Sequence, residues 1–188
     1  MRCFVAIELP TRVREQLADL QARLQELDRF VRWTRPEQIH LTLKFLGEVP
    51  DGQVPDICSA LIEAAAHLQP PTINVRDVSC FPGNNRARAR VVWAGVAGPP
   101  PELVACYETL ERAFADLGYP PEKRAFKPHL TIGRSRQPEG AREIRSLLSP
   151  AQNFRCEPFV ATELTLFQSV LGHHGPTYTV LTHATFRG

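Results

Sequence analysis

His40-Leu41-Thr42-Leu43 returns 89 residues later as His129-Leu130-Thr131-Ile132, and this pair of tetrapeptides decides the fold. In a strand, residues two apart share a face, so His40 and Thr42 point one way while Leu41 and Leu43 point the other. The second copy repeats the pattern. Around the first tetrapeptide, residues 3–9 read as a strand, and Val13, Leu17, Leu20, Leu24 and Leu27 recur at helical spacing after Pro10, which predicts a helix over 11–27. Residues 39–46 alternate as a second strand. Asp51 is positioned to cap a helix with Val54, Ile57, Leu61 and Leu68 on one face, and 72–79 reads as a third strand. The second half repeats this order, with strand 91–96, helix 102–117 ended by Gly118 and Pro120, strand 129–133, helix 141–148 and strand 162–169.

The same offset of 89 places Pro10 on Pro99, Asp51 on Gly140 and Gly83 on Gly172. Coincident element order and a coincident tetrapeptide point to an internal duplication, approximately 1–90 and 91–188, within a single bilobal domain spanning 1–188. Two similar lobes related by a pseudo-two-fold axis are expected. Residues 178–186 have no counterpart in the repeat and are expected to complete one of the sheets. Gly98-Pro99-Pro100-Pro101 reads as a hinge between the lobes.

If Leu130 and Ile132 bury against helices, His129 and Thr131 face the other way, and two sheets facing across the pseudo-two-fold present two imidazoles and two hydroxyls to one groove. That quartet suits phosphodiester hydrolysis. One base must take a proton from water and one acid must protonate the departing oxygen, and histidine does either near neutral pH. Threonine hydroxyls donate to the non-bridging oxygens, where negative charge builds in the transition state. This chemistry needs no metal and no cofactor. Spacing alone does not say which histidine is acid and which is base.

Val31-Arg32-Trp33-Thr34-Arg35-Pro36-Glu37-Gln38-Ile39-His40-Leu41-Thr42-Leu43-Lys44-Phe45-Leu46-Gly47 and Lys127-Pro128-His129-Leu130-Thr131-Ile132-Gly133-Arg134 resemble the two signature segments of the two-histidine (2H) phosphoesterase superfamily. Arg2-Cys3-Phe4-Val5-Ala6-Ile7, the Phe81-Pro82 turn and Phe167-Gln168-Ser169-Val170-Leu171-Gly172 extend the resemblance over the whole chain. Within the superfamily the chain is most similar to the LigT-like RNA 2',3'-cyclic phosphodiesterases, also called 2',5'-RNA ligases. The resemblance implies an α+β fold: two pseudo-symmetric lobes, each an antiparallel sheet with two helices, around a central groove. It also implies hydrolysis of a terminal RNA 2',3'-cyclic phosphate to a 2'-phosphate. In that scheme His40 is the proton donor, His129 the proton acceptor, and Thr42 and Thr131 bind the phosphate. Reversal of the same chemistry would give a 2',5'-linkage.

Several neighbours are open on sequence alone. Lys44 shares strand parity with His40 and Thr42, so it either faces the groove or lies on the surface. Arg134 breaks the parity of its motif, yet its long side chain is a candidate to reach the phosphate. Phe4, Phe45 and Trp33 are candidates for stacking on a base, with the core as their commoner place. Arg86, Arg88 and Arg90 alternate with alanines and either follow an RNA backbone or form a solvated edge. His173-His174 reads as a surface loop rather than a metal pair, and His67 and His183 have no motif around them.

Composition fits this reading. At 188 residues, 43% hydrophobic and 22% charged, the chain is an ordinary globular protein long enough to be an enzyme. No apolar run approaches the length of a membrane span or a signal peptide, so a cytoplasmic, monomeric protein without a membrane partner is expected. Five scattered cysteines without a C-x-x-C pair are expected to be reduced thiols. Net charge is only +2, but three lysines (Lys44, Lys123, Lys127) stand against 19 arginines, which reflects either phosphate recognition or codon usage. Three function classes follow: a phosphodiesterase on RNA ends, the same chemistry on small cyclic nucleotides or 2',5'-oligonucleotides, and a nucleotide-binding module without chemistry. Binding alone requires no paired proton donor and acceptor, which disfavours the third.

Overall fold

The computed structural model describes residues 1–82, 89–96, 98–136, 141–172 and 175–188. Ten strands are present in it: β1 (Arg2–Glu8), β2 (Val31–Trp33), β3 (His40–Glu48), β4 (Thr72–Ile73), β5 (Val75–Phe81), β6 (Val91–Val96), β7 (His129–Ser135), β8 (Phe159–Val160), β9 (Glu163–Gly172) and β10 (Gly175–Thr185). Four helices accompany them: α1 (Thr11–Arg23), α2 (Val54–Ala66), α3 (Pro101–Ala115) and α4 (Ala141–Leu148).

Each helix forms for a readable reason. Pro10 and Pro100 enter α1 and α3 with extended backbone and φ near −60°, and Val13, Leu17 and Leu20 on α1 and Leu103, Cys106, Leu110 and Phe114 on α3 bury at helical spacing. The α-helix at 11–27 stops at Arg23, and Gln25–Leu27 continue as a 3-10 turn that still buries Leu27. Asp51 opens a 3-10 turn ahead of α2 instead of capping it. Past α3, Gly118 takes φ +92°, a left-handed conformation that lets the chain leave the helix.

Eight of the strands form one sheet in the order β10-β9-β1-β3-β7-β6-β5, with β2 also paired to β7, while β4 and β8 pair separately, and every pairing is antiparallel. The expected two sheets facing one another are thus two half-sheets joined edge to edge between β3 and β7. The lobes do not coincide with the sequence halves. β9 and β10 cross over to flank β1, and β5 crosses to flank β6. The helices exchange as well: α2 and α3 pack on the β10-β9-β1-β3 lobe, α4 packs on β5, and α1 lies beneath β7, where Gln21 Nε2 donates to the Ile132 carbonyl at 2.9 Å. Each lobe therefore has an antiparallel sheet and two helices. Because of this exchange, Gly98–Pro101 leads from β6 in one lobe to α3 on the other.

The main core fills the space between the sheet and the helices, and a smaller cluster of Phe4, Ala6 and Phe167 with Tyr178 lies apart from it. No described helix is long and apolar enough to cross a membrane. All five cysteines are unpaired, four of them buried.

Candidate active site

Leu41 pairs with Leu130 where β3 meets β7, and both side chains are fully buried. One step to either side, antiparallel register sets His40 across from Thr131 and Thr42 across from His129, and the pleat turns all four away from the leucines. His40 and His129 become diagonal neighbours, about 7–8 Å apart in regular sheet geometry, wide enough for a phosphate between them. The half-buried state of all four fits a groove rather than a core.

Both imidazoles are oriented in the same way. His40 Nδ1 lies 2.8 Å from the Gln38 carbonyl and His129 Nδ1 lies 2.7 Å from the Lys127 carbonyl. A carbonyl only accepts, so each Nδ1 carries the hydrogen, and Nε2 on the other side of the ring is left for proton transfer.

The ring environments differ. Phe4 stacks on His40 at 4.8 Å between centroids, and Tyr178 meets it edge-on at 5.2 Å. Beside His129 stand Phe81 at 5.1 Å and Trp93 at 6.4 Å, both edge-on. Burial pushes the His40 imidazole down to about 4, and the nearby Arg134 cation adds to the effect. The Gln38 carbonyl and the Glu8 carboxylate oppose it. Burial raises the Tyr178 phenol, against the pull of Arg134.

A bulge in each signature strand settles the parity beyond the motif. Opposite β1, Val5 pairs with Lys44 and Ala6 with Thr42, which leaves Leu43 as the extra residue. Opposite β6, Val92 pairs with Gly133 and Trp93 with Thr131, which leaves Ile132 extra. The Leu43 and Ile132 bulges are 89 residues apart, like the motifs, and β3 has a further one at Leu46. Each reverses the alternation, so Lys44 and Gly133 turn toward the helices while Phe45 and Arg134 turn to the groove face. Lys44 is consequently neither a groove lysine nor a surface one. It is buried, with Nζ 2.9 Å from Glu111 Oε2 and 2.7 Å from the Pro120 carbonyl. Phe45 is 70% exposed and so is not a core residue, whereas Phe4 is buried but against His40 instead of the main core. Trp33 packs against the core and donates Nε1–H to Asp28 at 2.6 Å.

Glu8 is the β1 partner of His40, and its carboxylate accepts from the Thr165 hydroxyl at 3.1 Å and pairs with Arg14 at 3.4 Å. His183 lies 3.2 Å from Glu163, and the ligand atoms of Glu8, Glu163 and His183 lie within 4.8 Å of one another. The carboxylates and the imidazole are already engaged with Arg14, Thr165 and each other. His183, which no motif surrounds, thus belongs to a polar cluster one strand away from the motif histidines. Arg86, Arg88 and His173-His174 lie outside the described residues.

Tyr178, Phe167, Glu8, Phe81 and Trp93 escape a reading confined to the signature segments. Trp93 was within reach, because it stands 89 residues after Phe4 and plays the matching part beside the second histidine. Tyr178 was not, because β10 has no counterpart in the repeat.

The family model described as LigT like Phosphoesterase matches this chain twice, at residues 7–93 and 96–178. An RNA 2',3'-cyclic phosphodiesterase of Methanothermobacter thermautotrophicus is 32% identical over 95% of this chain and 95% of its own length. One of Archaeoglobus fulgidus is 34% identical over 95% and 96%. Among solved structures, a Thermus thermophilus protein superposes with a TM-score of 0.83 at 27% identity, covering 100% of this chain and 99% of that one. E. coli LigT complexed with 3'-AMP superposes with a TM-score of 0.79 at 25% identity, covering 100% and 98%. On the strength of the matched segments, the chain belongs to the LigT-like phosphoesterase family.

Proposed function

We propose that this protein hydrolyses the 2',3'-cyclic phosphate at an RNA end to a 2'-phosphate, with His40 as proton donor, His129 as proton acceptor, and Thr42, Thr131 and Arg134 holding the phosphate. Water attacks phosphorus as His129 Nε2 takes its proton. The bond from phosphorus to O3' breaks, and O3' takes the proton carried on His40 Nε2, which leaves a 3'-hydroxyl and a 2'-phosphate. The threonine hydroxyls and the Arg134 guanidinium donate to the non-bridging oxygens as charge builds on them. The observation that carries the reading is the symmetric pair of imidazoles, each held by its own backbone carbonyl on either side of one Leu41–Leu130 pair.

Burial keeps His40 neutral in the free protein at neutral pH. Its role as donor requires it to gain a proton as substrate binds. The negative phosphate supplies the drive, since an adjacent anion favours the charged imidazole.

Product analysis tests the proposal. An RNA ending in a 2',3'-cyclic phosphate, incubated with the protein in EDTA, is expected to yield a 2'-phosphate. A 3'-phosphate product would reverse the leaving group, and loss of activity in EDTA restored by a divalent metal would overturn the side-chain acid–base mechanism.

A further inference from the structure

Arg32 and Arg134 are direct cross-strand partners on β2 and β7. Two like charges set opposite one another in an antiparallel pair destabilise the sheet. Among the described residues, no carboxylate lies within ion-pair distance of either guanidinium, and both residues are exposed. The bulge at Ile132 turns Arg134 to the groove face, and a cross-strand partner shares that face, so Arg32 stands on it too. Val31 and Trp33, on the other face of β2, close over Gly133: a Cβ there would meet Val31 Cγ1 at 2.6 Å and Trp33 Cε3 at 3.0 Å.

The pair is also tied to the site. Arg134 is near enough to His40 and Tyr178 for its charge to act on both. Arg32 Nη2 lies 3.6 Å from where a Cβ on Gly175 would stand, and Gln38, whose carbonyl orients His40, donates Nε2–H to the Pro176 carbonyl at 2.7 Å. The start of β10 therefore lies alongside both the arginine pair and the His40 support. Along β7, Arg134 follows Thr131 by three residues, at most about 10 Å of extended chain, so the arginine pair stands within about one nucleotide's length of a phosphate held at Thr131.

We infer that Arg32 and Arg134 form a subsite for a second phosphate, carried on the 5'-oxygen of the nucleotide whose cyclic phosphate lies between His40 and His129. Two planar forks side by side suit the several oxygens of one phosphate group, which also relieves their mutual repulsion. This inference rests on the proposed function and deepens it. The shared chemistry is a 5'-phosphate, either terminal on a mononucleotide or internal in an RNA strand.

The test compares ligands that differ only in that group. Calorimetric binding of a nucleoside 2',5'-bisphosphate and of the 2'-monophosphate is measured for the parent and for Arg32→Gln. The parent is expected to prefer the bisphosphate by about tenfold or more, the range of a charge-assisted contact. Arg32→Gln is expected to bring the ratio close to one without changing 2'-monophosphate affinity, and Arg32→Lys to keep part of the preference. No preference in the parent, or equal weakening of both ligands by Arg32→Gln, overturns the subsite. Since this readout requires no turnover, it stands even if hydrolysis of the cyclic phosphate fails. Kinetics on a cyclic mononucleotide with a 5'-phosphate and on a dinucleotide with an internal phosphate then separates the sources. A lower KM only for the first assigns the subsite to a terminal phosphate, and for the second to RNA backbone.

Discussion

Leu41 on β3 pairs with Leu130 on β7, and their numbers differ by the same 89 that relates the two signature tetrapeptides. The pseudo-two-fold axis accordingly runs through this pair, which joins the half-sheets and sets all four groove residues at once. Leu41→Ala is expected to cost about 2–5 kcal/mol of unfolding free energy as a core truncation. The folded fraction is expected to lose turnover as well, since His40 and Thr42 flank the altered residue and small misplacements cost about a hundredfold. Denaturant melts paired with active-site-normalised kcat would check both, and an unchanged kcat would separate the leucine pair from site geometry.

The histidines are expected to fail as a unit. His40→Ala and His129→Ala should each lose about 10²- to 10⁴-fold in turnover while remaining folded, and the double variant should lose less than the product. Thr42→Val and Thr131→Val should slow the reaction by less than the histidine changes do, because a hydroxyl orients charge but transfers no essential proton. Single-turnover rates measure all five. Wild-type rates in both valine variants would remove the threonines from the site.

The low His40 value makes a signed pH prediction. Its ring is expected to titrate near 4 by NMR in the free protein and at higher pH with a 2'-nucleotide bound. As the donor, His40 must be protonated, so activity is lost as pH rises through its value in the complex. Burial, the Gln38 carbonyl, Glu8, Arg134 and the bound phosphate set that value. Glu8→Gln removes a charge that raises it, so the alkaline limb of kcat should move to lower pH. A titration that stays near 4 in the complex would exchange the two histidine roles.

Much of this was legible from the repeat, because element order and strand alternation are local properties of the sequence. The exchange of β5 with β9 and β10 was not. Which strand flanks which is decided by long-range pairing, and the local pattern of β5 is the same in either lobe. The extra residues Leu43 and Ile132 were equally hidden, because both are apolar and bury as ordinary strand residues would. Their effect falls on Lys44, Phe45 and Arg134, the residues for which simple parity gave no answer or the wrong one.

Lys44 tests the first consequence of the bulge. With its ammonium buried against Glu111, Lys44→Ala strands a carboxylate that also accepts from the Glu122 backbone N–H at 2.7 Å. Loss of one partner of a buried pair typically costs about 3–5 kcal/mol, whereas exchanging both for apolar residues is often neutral. Lys44→Met with Glu111→Leu should therefore recover much of the stability lost in Lys44→Ala. Thermal and urea unfolding of the parent and the two variants decides. Cyclic phosphate affinity should hold in the double variant, and a rise in KM there without a loss of stability would return Lys44 to the groove.

Phe45 tests the second. A phenylalanine 70% exposed on a strand leaves most of its apolar surface in water, and its ring lies 6.0 Å from Phe4, which stacks on His40. This places it on the groove face at the edge of the aromatic group, suited to stack on the base of a bound nucleotide. Base–aromatic stacking is worth about 1–3 kcal/mol, so Phe45→Ala should raise KM for a nucleoside 2',3'-cyclic phosphate by roughly 5- to 150-fold. Since the ring transfers no proton and touches no reacting atom, kcat should change little. Phe45→Trp should keep or tighten binding, and a ribose cyclic phosphate lacking a base should be indifferent to all three side chains. Equal loss for the substrate with and without its base would show that Phe45 supports Phe4 and His40 instead of contacting the ligand.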